Sequence, residues 1–434
     1  MIGIGIFLMP RIVAESVASD LGFLAMWLLG GLVALSGAVA CGELGAMMPR
    51  AGGDYVFQRR AFGSSVAFAS GCVLFGAVFT GSIAATSVAV CRYQLAALLH
   101  VDLMQPAFAV GGIDVPIAHL TAVVIVLVLS ALNALGARIG ALAQTLLVYP
   151  PIALFLAIAL AALLRGGAGA TPVARAGGVS LTTAFVAIYF AYSGWINVIY
   201  VAGEVRRPER NIPFGLIAGT VAVTALYLLL CGGFLSVLGL DGLAGLGFTD
   251  AGTATAERLG GPALSAAVTL AIAAALLATT NATIFGGARV AYAMAGDGAL
   301  PRTFARLAGP AAVPVRALWF QALLAIAFIL SGTFDQIVEA VGLAMLITGS
   351  LTVLALFALR VREPDAPRPY LATAYPWLPG FYLLACGVVL AHRTWETGAG
   401  LASGTSASAL PLVGLVTMLL AFVSHRFGAQ RRRS

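Results

Sequence analysis

The chain has 434 residues, 61% of them hydrophobic and only 9% charged, with a mean hydropathy of +1.00. A soluble globular chain carries roughly 25% charged residues, so the solvent of most of this chain is lipid. Its net charge is +7 and every basic side chain is Arg, yet these are scattered singly through apolar sequence, which argues against a nucleic-acid-binding surface.

A membrane-spanning helix uses ~20 apolar residues, so this length holds about a dozen spans joined by short loops, as one polytopic domain over residues 1–434. The opening Met1-Ile2-Gly3-Ile4-Gly5-Ile6-Phe7 lacks the basic flank and cleavage site of a signal peptide, and its apolar segment reads as part of the mature protein. Apolar runs between polar breaks predict helices near 2–18, 22–47, 64–98, 117–136, 140–164, 180–204, 213–239, 262–295, 314–332, 335–360, 375–393 and 408–427. With a cytoplasmic N-terminus, 18 of the 24 arginines fall on inner loops and inner helix ends, and only Arg11, Arg92, Arg165, Arg175, Arg258 and Arg393 lie outside. That split satisfies the positive-inside rule and puts both termini in the cytoplasm. Cys41, Cys72, Cys91, Cys231 and Cys386 each sit in an apolar run and form neither a disulfide framework nor a zinc pattern. No metal site or cofactor is expected.

Two predicted spans are interrupted. The first contains Gly3-Ile4-Gly5 and the sixth Tyr192-Ser193-Gly194-Trp195. Freed backbone groups in hydrocarbon cost several kcal/mol each unless they line a cavity or meet a ligand. Breaks at matching positions of two five-helix halves, 1–164 and 180–360, with two peripheral helices over 375–427, point to an inverted-repeat transporter. Half-helix N-termini suit an anionic group and opposing carbonyl ends a cation, so a zwitterionic amino acid fits both. The alternative is that these glycines only let membrane helices pack closely.

The segment Phe190-Ala191-Tyr192-Ser193-Gly194-Trp195, followed by Gly203-Glu204-Val205-Arg206-Arg207-Pro208-Glu209-Arg210-Asn211-Ile212-Pro213, resembles the sixth span and inner loop of amino acid–polyamine–organocation transporters, the L-type branch above all. Gly3 to Phe7, Gly42-Glu43 through Gly52-Gly53-Asp54-Tyr55, and Asn281 through Arg289 to Pro301 agree in order. The resemblance implies an all-α LeuT-like fold of five plus five helices in inverted repeat, about 12 in all, in a bacterial inner membrane. It implies that Gly3, Ile4, Gly5 and Ile6 offer backbone contacts, that Phe190 gates the site, and that Ala191, Tyr192, Ser193 and Gly194 line it. Trp195 is either a second wall or a packing aromatic.

Family members carry a half-helix before the first glycine break. Here the break begins at the third residue, and an upstream in-frame extension is expected. Proton-coupled relatives place a Lys in the fifth span; the matching position is Pro151, and the chain has no Lys at all. The stretch matching the sodium-site pattern reads Gly286-Gly287-Ala288, with Thr279, Thr280 and Thr283 nearby. Both usual coupling devices are weakened, which favours exchange or facilitated movement over tight ion symport.

Glu43 is a candidate coupling carboxylate, because intramembrane acids are expensive; pairing with Arg59 or Arg60 is the plainer reading. Glu204 sits in a mixed-charge loop suited to gate ion pairs, and Asn133 and Asn281 are buried amides suited to interhelical hydrogen bonds, Asn281 with a possible link to the site network. No acid or Arg is foreseen in the site, so the substrate is expected to be a neutral amino acid. A polyamine or other amine carrier, and a non-transporting amino-acid sensor, are the alternatives. No HExxH, GxSxG or clustered His/Asp pattern suggests an enzyme. The sequence carries no signal for an accessory subunit.

Overall fold

The computed structural model describes residues 3, 5–110, 113–165, 179–247, 249–309, 312–331, 334–402 and 422. Helices α1 (Gly5–Ser16), α2 (Asp20–Met47) and α3 (Asp54–Phe62) open the chain. Ser19 caps α2 by accepting from the Gly22 N–H at 3.1 Å, and Asp20 lies in its first turn, where the helix dipole favours a negative charge. One helical rod, α4, runs over Ser64–Leu99 and widens into π-helix at Leu74–Phe79 and Val90–Leu95. A hairpin, β1 (Pro106–Val110) and β2 (Ile113–Pro116), leads into α5 (Ile117–Leu135) and α6 (Ala137–Arg165).

Helix α7 (Leu181–Tyr192), capped by Ser180, gives way to a 3-10 turn at Ser193–Ile196 and a last helical turn at Asn197–Tyr200. Pro208 starts α8 (Pro208–Ala244), which kinks at Gly239 with φ 68°. Helix α9 (Ala251–Gly296) breaks at Gly260–Gly261, where Gly261 has φ 70°. The described chain closes with α10 (Val315–Ser331), α11 (Phe334–Arg362) and α12 (Trp377–Ala402). The expected span at 408–427 lies outside the described residues, apart from residue 422.

Eight helices among the described residues are long and apolar enough to cross a membrane, and Val315–Leu330 is a shorter apolar helix. With 12 residues, α1 is too short to cross alone. Large apolar side chains such as Leu28, Val124, Val128, Leu146, Val221, Leu270, Leu323 and Leu384 point outward. A soluble protein would not expose them in such number; here they face lipid. The protein is a polytopic, almost wholly helical membrane protein, the small hairpin being its departure from an all-α chain.

At the centre α1 packs on α7, with α4, α9 and α11 around them. Outside this group α2 packs on α8, α5 on α10, and α6 on α8 and α9. Contact between α1 and α7 is close because Gly5 has no side chain: a Cβ there would stand 2.3 Å from both Cα and Cβ of Ala191.

Candidate functional site

The N-terminus of α1 and the C-terminus of α7 meet at a cavity with about 80 Å³ of room for the centres of water-sized spheres. Its wall includes Gly3 and Gly5 from the first break and Phe190, Ala191, Ser193, Gly194 and Trp195 from the second. These seven site residues, read from two segments some 190 positions apart, come together in space. The remaining wall comes from α4 (Leu74, Val78, Phe79, Ser82, Thr86), α9 (Thr279, Thr283), α11 (Met345, Thr348, Gly349), and Asp54, Tyr189, Ile196, Asn197 and Tyr200.

Other expected residues sit elsewhere. Ile6 is fully buried but is not on the cavity wall. Tyr192 turns away: its hydroxyl donates to the Trp27 carbonyl at 3.1 Å, and its ring lies 5.0 Å from that of Tyr227. Ile4 lies outside the described residues. Trp195 does both things proposed for it: it borders the cavity, and its ring packs so tightly on α2 that a Cβ at Gly37 would come within 2.8 Å.

Tyr227 of α8 was not foreseen from the sequence. Its hydroxyl donates to the Ala191 carbonyl at 3.1 Å, and the Gly3 backbone reaches the same oxygen. One phenol thus ties the two helix breaks together and satisfies backbone groups that the breaks release. A lone Tyr in an apolar span gives no sequence signal of this.

Asp54 is the larger surprise. It opens α3, is 1% exposed, and borders the cavity. Its Oδ2 accepts from the Tyr200 hydroxyl at 2.7 Å and its Oδ1 from Thr352 Oγ1 at 2.9 Å. Burial pushes its carboxyl up to about 6, against the smaller opposing pull of these two hydrogen bonds. The sequence expectation that the site holds no acid is therefore corrected. The Gly52-Gly53-Asp54-Tyr55 motif held the signal: an acid directly after a glycine pair that allows close approach, since a Cβ at Gly53 would meet Tyr200 at 2.6 Å.

Glu43 and Glu204 are off the cavity wall and in ion pairs. Glu43, fully buried, meets Arg360 at 2.5 Å and Arg368 at 3.1 Å and accepts the Ala372 N–H at 2.7 Å. Its expected partners are engaged elsewhere: Arg59 with Asp297 at 2.7 Å and Arg60 with Glu363 at 2.6 Å. Glu204 meets Arg289 of α9 at 2.7 Å, and that guanidinium lies 3.3 Å from the Phe285 ring centre. Asn281 accepts from Asn133 at 2.7 Å and donates to Gln144 at 3.2 Å, an interhelical link behind the cavity. Thr280 is paired with Thr86 at 2.8 Å, while Thr279 and Thr283 reach the wall.

Comparison with known proteins agrees with this arrangement. The family model for amino acid permeases matches residues 1–422. The serine/threonine exchanger SteT of Bacillus subtilis is 26% identical over 389 residues, covering 87% of this chain and 84% of that protein. The human b(0,+)-type amino acid transporter 1 is 25% identical over 408 residues, 91% of this chain and 81% of that one. The human cystine/glutamate transporter is 27% identical over 395 residues, 89% and 76% respectively. The chain belongs to the amino acid permease family: it is a membrane transporter of amino acids and not an enzyme.

Proposed function

We propose that the protein exchanges small neutral amino acids across a bacterial cytoplasmic membrane by alternating access, with the α3 end of the bundle in the cytoplasm. The observation that carries this reading is the cavity joining the start of α1 to the end of α7. The positive dipole end of α1 suits the substrate carboxylate; the carbonyl end of α7 suits its ammonium. A single water needs roughly 10–15 Å³ by the same measure of volume, so about 80 Å³ accommodates an amino acid with a short side chain. Among the described residues the wall offers no Arg for an anionic side chain, and its one acid is already bonded to two hydroxyls. The name of the Bacillus relative, a serine/threonine exchanger, agrees with a small polar or apolar cargo.

An inverted repeat of five plus five within a 12-helix bundle is part of this proposal. Pairing α1 with α7, α2 with α8, α4 with α9, α5 with α10 and α6 with α11 maps the packing on to itself: α6 against α9 answers α11 against α4, and α6 against α8 answers α11 against α2. The short helix α3 before α4 corresponds to Ala251–Leu259 before the break in α9. Gly53 abuts Tyr200 of the seventh helix region, as Gly252 abuts Phe7 of α1. In proteoliposomes loaded with unlabelled L-serine, external labelled serine, threonine or alanine should accumulate by counterflow. Absence of counterflow for all small neutral amino acids from correctly inserted protein would overturn the reading.

A further inference from the structure

On the repeat proposed above, Asp54 and Asp250 correspond, each a buried carboxylate at the start of a short helix, but the two are held differently. Asp250 caps its helix, taking the Thr253 N–H at 2.8 Å, the Thr253 hydroxyl at 2.8 Å and Gln94 Nε2 at 2.8 Å. The Thr253 N–H cannot reverse, so protonating the oxygen it serves would forfeit that bond; burial pushes the Asp250 carboxyl up, and the backbone and side-chain donors upon it oppose that push. Among the described residues Asp54 takes hydrogen bonds from side chains only. Its two partners are hydroxyls, which donate or accept equally well.

The shell of Asp54 is arranged for both states. Thr352 Oγ1 has a second acceptor, the Thr348 carbonyl at 3.1 Å, and itself accepts from Gln58 Nε2 at 2.8 Å. With Asp54 ionised, Thr352 donates to it; with Asp54 neutral, Thr352 turns its proton to Thr348 and accepts one from Asp54. Asp54 and Thr352 each keep their partners in either case, while Gln58 Oε1 is buried without one. The ionisable groups that face Asp54 are Tyr200 and Tyr189 from the α7 region and Cys41 from α2. Cys72 of α4 lies further off, beside Tyr55. Among the described residues no cation pairs with it: Arg59 and Arg60 of its own helix, Arg289 and Asp297 at the α9 side, and Glu43 with Arg360 and Arg368 are engaged with one another.

We propose that Asp54 is a proton-binding site on the cavity wall, neutral while the α3 end of the cavity is closed and ionised when that end opens to water. Below a pH of about 6 the carrier then takes up a proton on closing and releases it on opening, and amino acid movement is linked to a pH gradient without a Lys. This rests on the transport reading above. The sign follows from burial. A solvated carboxyl titrates near ~3.9 and the closed-state one at about 6, so closing binds protons and acid favours the closed floor. Relative to a pH below both values, closure above pH 7 is disfavoured about 100-fold.

The test compares wild type, Asp54→Asn and Asp54→Glu in nanodiscs and in proteoliposomes. The amide of Asp54→Asn imitates the neutral acid and keeps both hydrogen bonds, so the variant should fold. In infrared titration the wild type should show the C=O stretch of a protonated carboxyl that fades as pH rises through about 6; the band should vanish in Asp54→Asn and return, shifted, in Asp54→Glu. The rate of L-serine counterflow in wild type should change as pH falls through about 6, while that through Asp54→Asn, normalised to its own rate at neutral pH, should be flat with pH. A band that survives in Asp54→Asn, or identical pH profiles for both proteins, would overturn the proposal. A wild type that shows the Asp54 band yet moves no small neutral amino acid supports the proton site and sinks the transport reading instead.

Discussion

At the scale of single residues, the helix-helix contact at the first break is set by one missing methyl group. Replacing Gly5 by Ala puts a Cβ 2.3 Å from the Ala191 backbone, and the neighbour is not a flexible side-chain tip that can swing away. Overpacking of this kind costs about 1–3 kcal/mol, and the displaced α1 should lose its alignment with the end of α7. Counterflow by Gly5→Ala is expected to fall at least ~10-fold, and Gly5→Val should be inactive in the same assay. Glu43 makes the opposite kind of prediction. It is fully buried, with two arginines and a backbone N–H upon it, so its charge is compensated in place and we read it as a clamp, not a moving proton. Breaking a buried pair from one side costs about 3–5 kcal/mol. Glu43→Gln should therefore lower the thermal midpoint in detergent markedly while leaving the pH dependence of residual flux intact.

Among elements, the site depends on how the two broken helices are held to each other and to α8. Removing the Tyr227 hydroxyl leaves the Ala191 carbonyl without that donor. Tyr227→Phe should destabilise by about 1 kcal/mol, read as a modest fall in thermal midpoint, and raise the KM for serine counterflow more than it lowers the maximal rate, because the breaks lose their mutual register. What the chain discloses at this scale is uneven. The break in α7 is local, written into consecutive residues from Phe190 to Trp195, and a linear reading finds it. Pairings such as Glu43 with Arg360, or Asp54 with Thr352, join positions about 300 residues apart. Their geometry is set by the packing of α2 and α3 against α11, which no local pattern records. Proximity in sequence suggested Arg59 and Arg60 for Glu43, but those side chains leave α3 toward Asp297 and Glu363.

For the whole molecule, the polytopic helical character and the lipid-facing surface were legible, because apolar length responds directly to bilayer thickness. The position of an acid at the cavity was not, since α3 is too short and polar to register as part of the membrane domain. Orientation is open to direct measurement. The native cysteines are buried or half-buried, so a Cys introduced at exposed Leu99, beside the hairpin, or at exposed Arg206 reports on one end each. In intact cells a membrane-impermeant maleimide should label Leu99→Cys and spare Arg206→Cys; the reverse pattern would invert the proposed topology.

The small size of the cavity has a pharmacological consequence. A carrier completes its cycle only when both doors shut over the cargo, so a backbone that docks correctly with a side chain too long for about 80 Å³ would wedge one door ajar. Lengthening an amino acid one methylene at a time should then convert it, at a definite size, from cargo into a blocker that occupies the carrier without crossing.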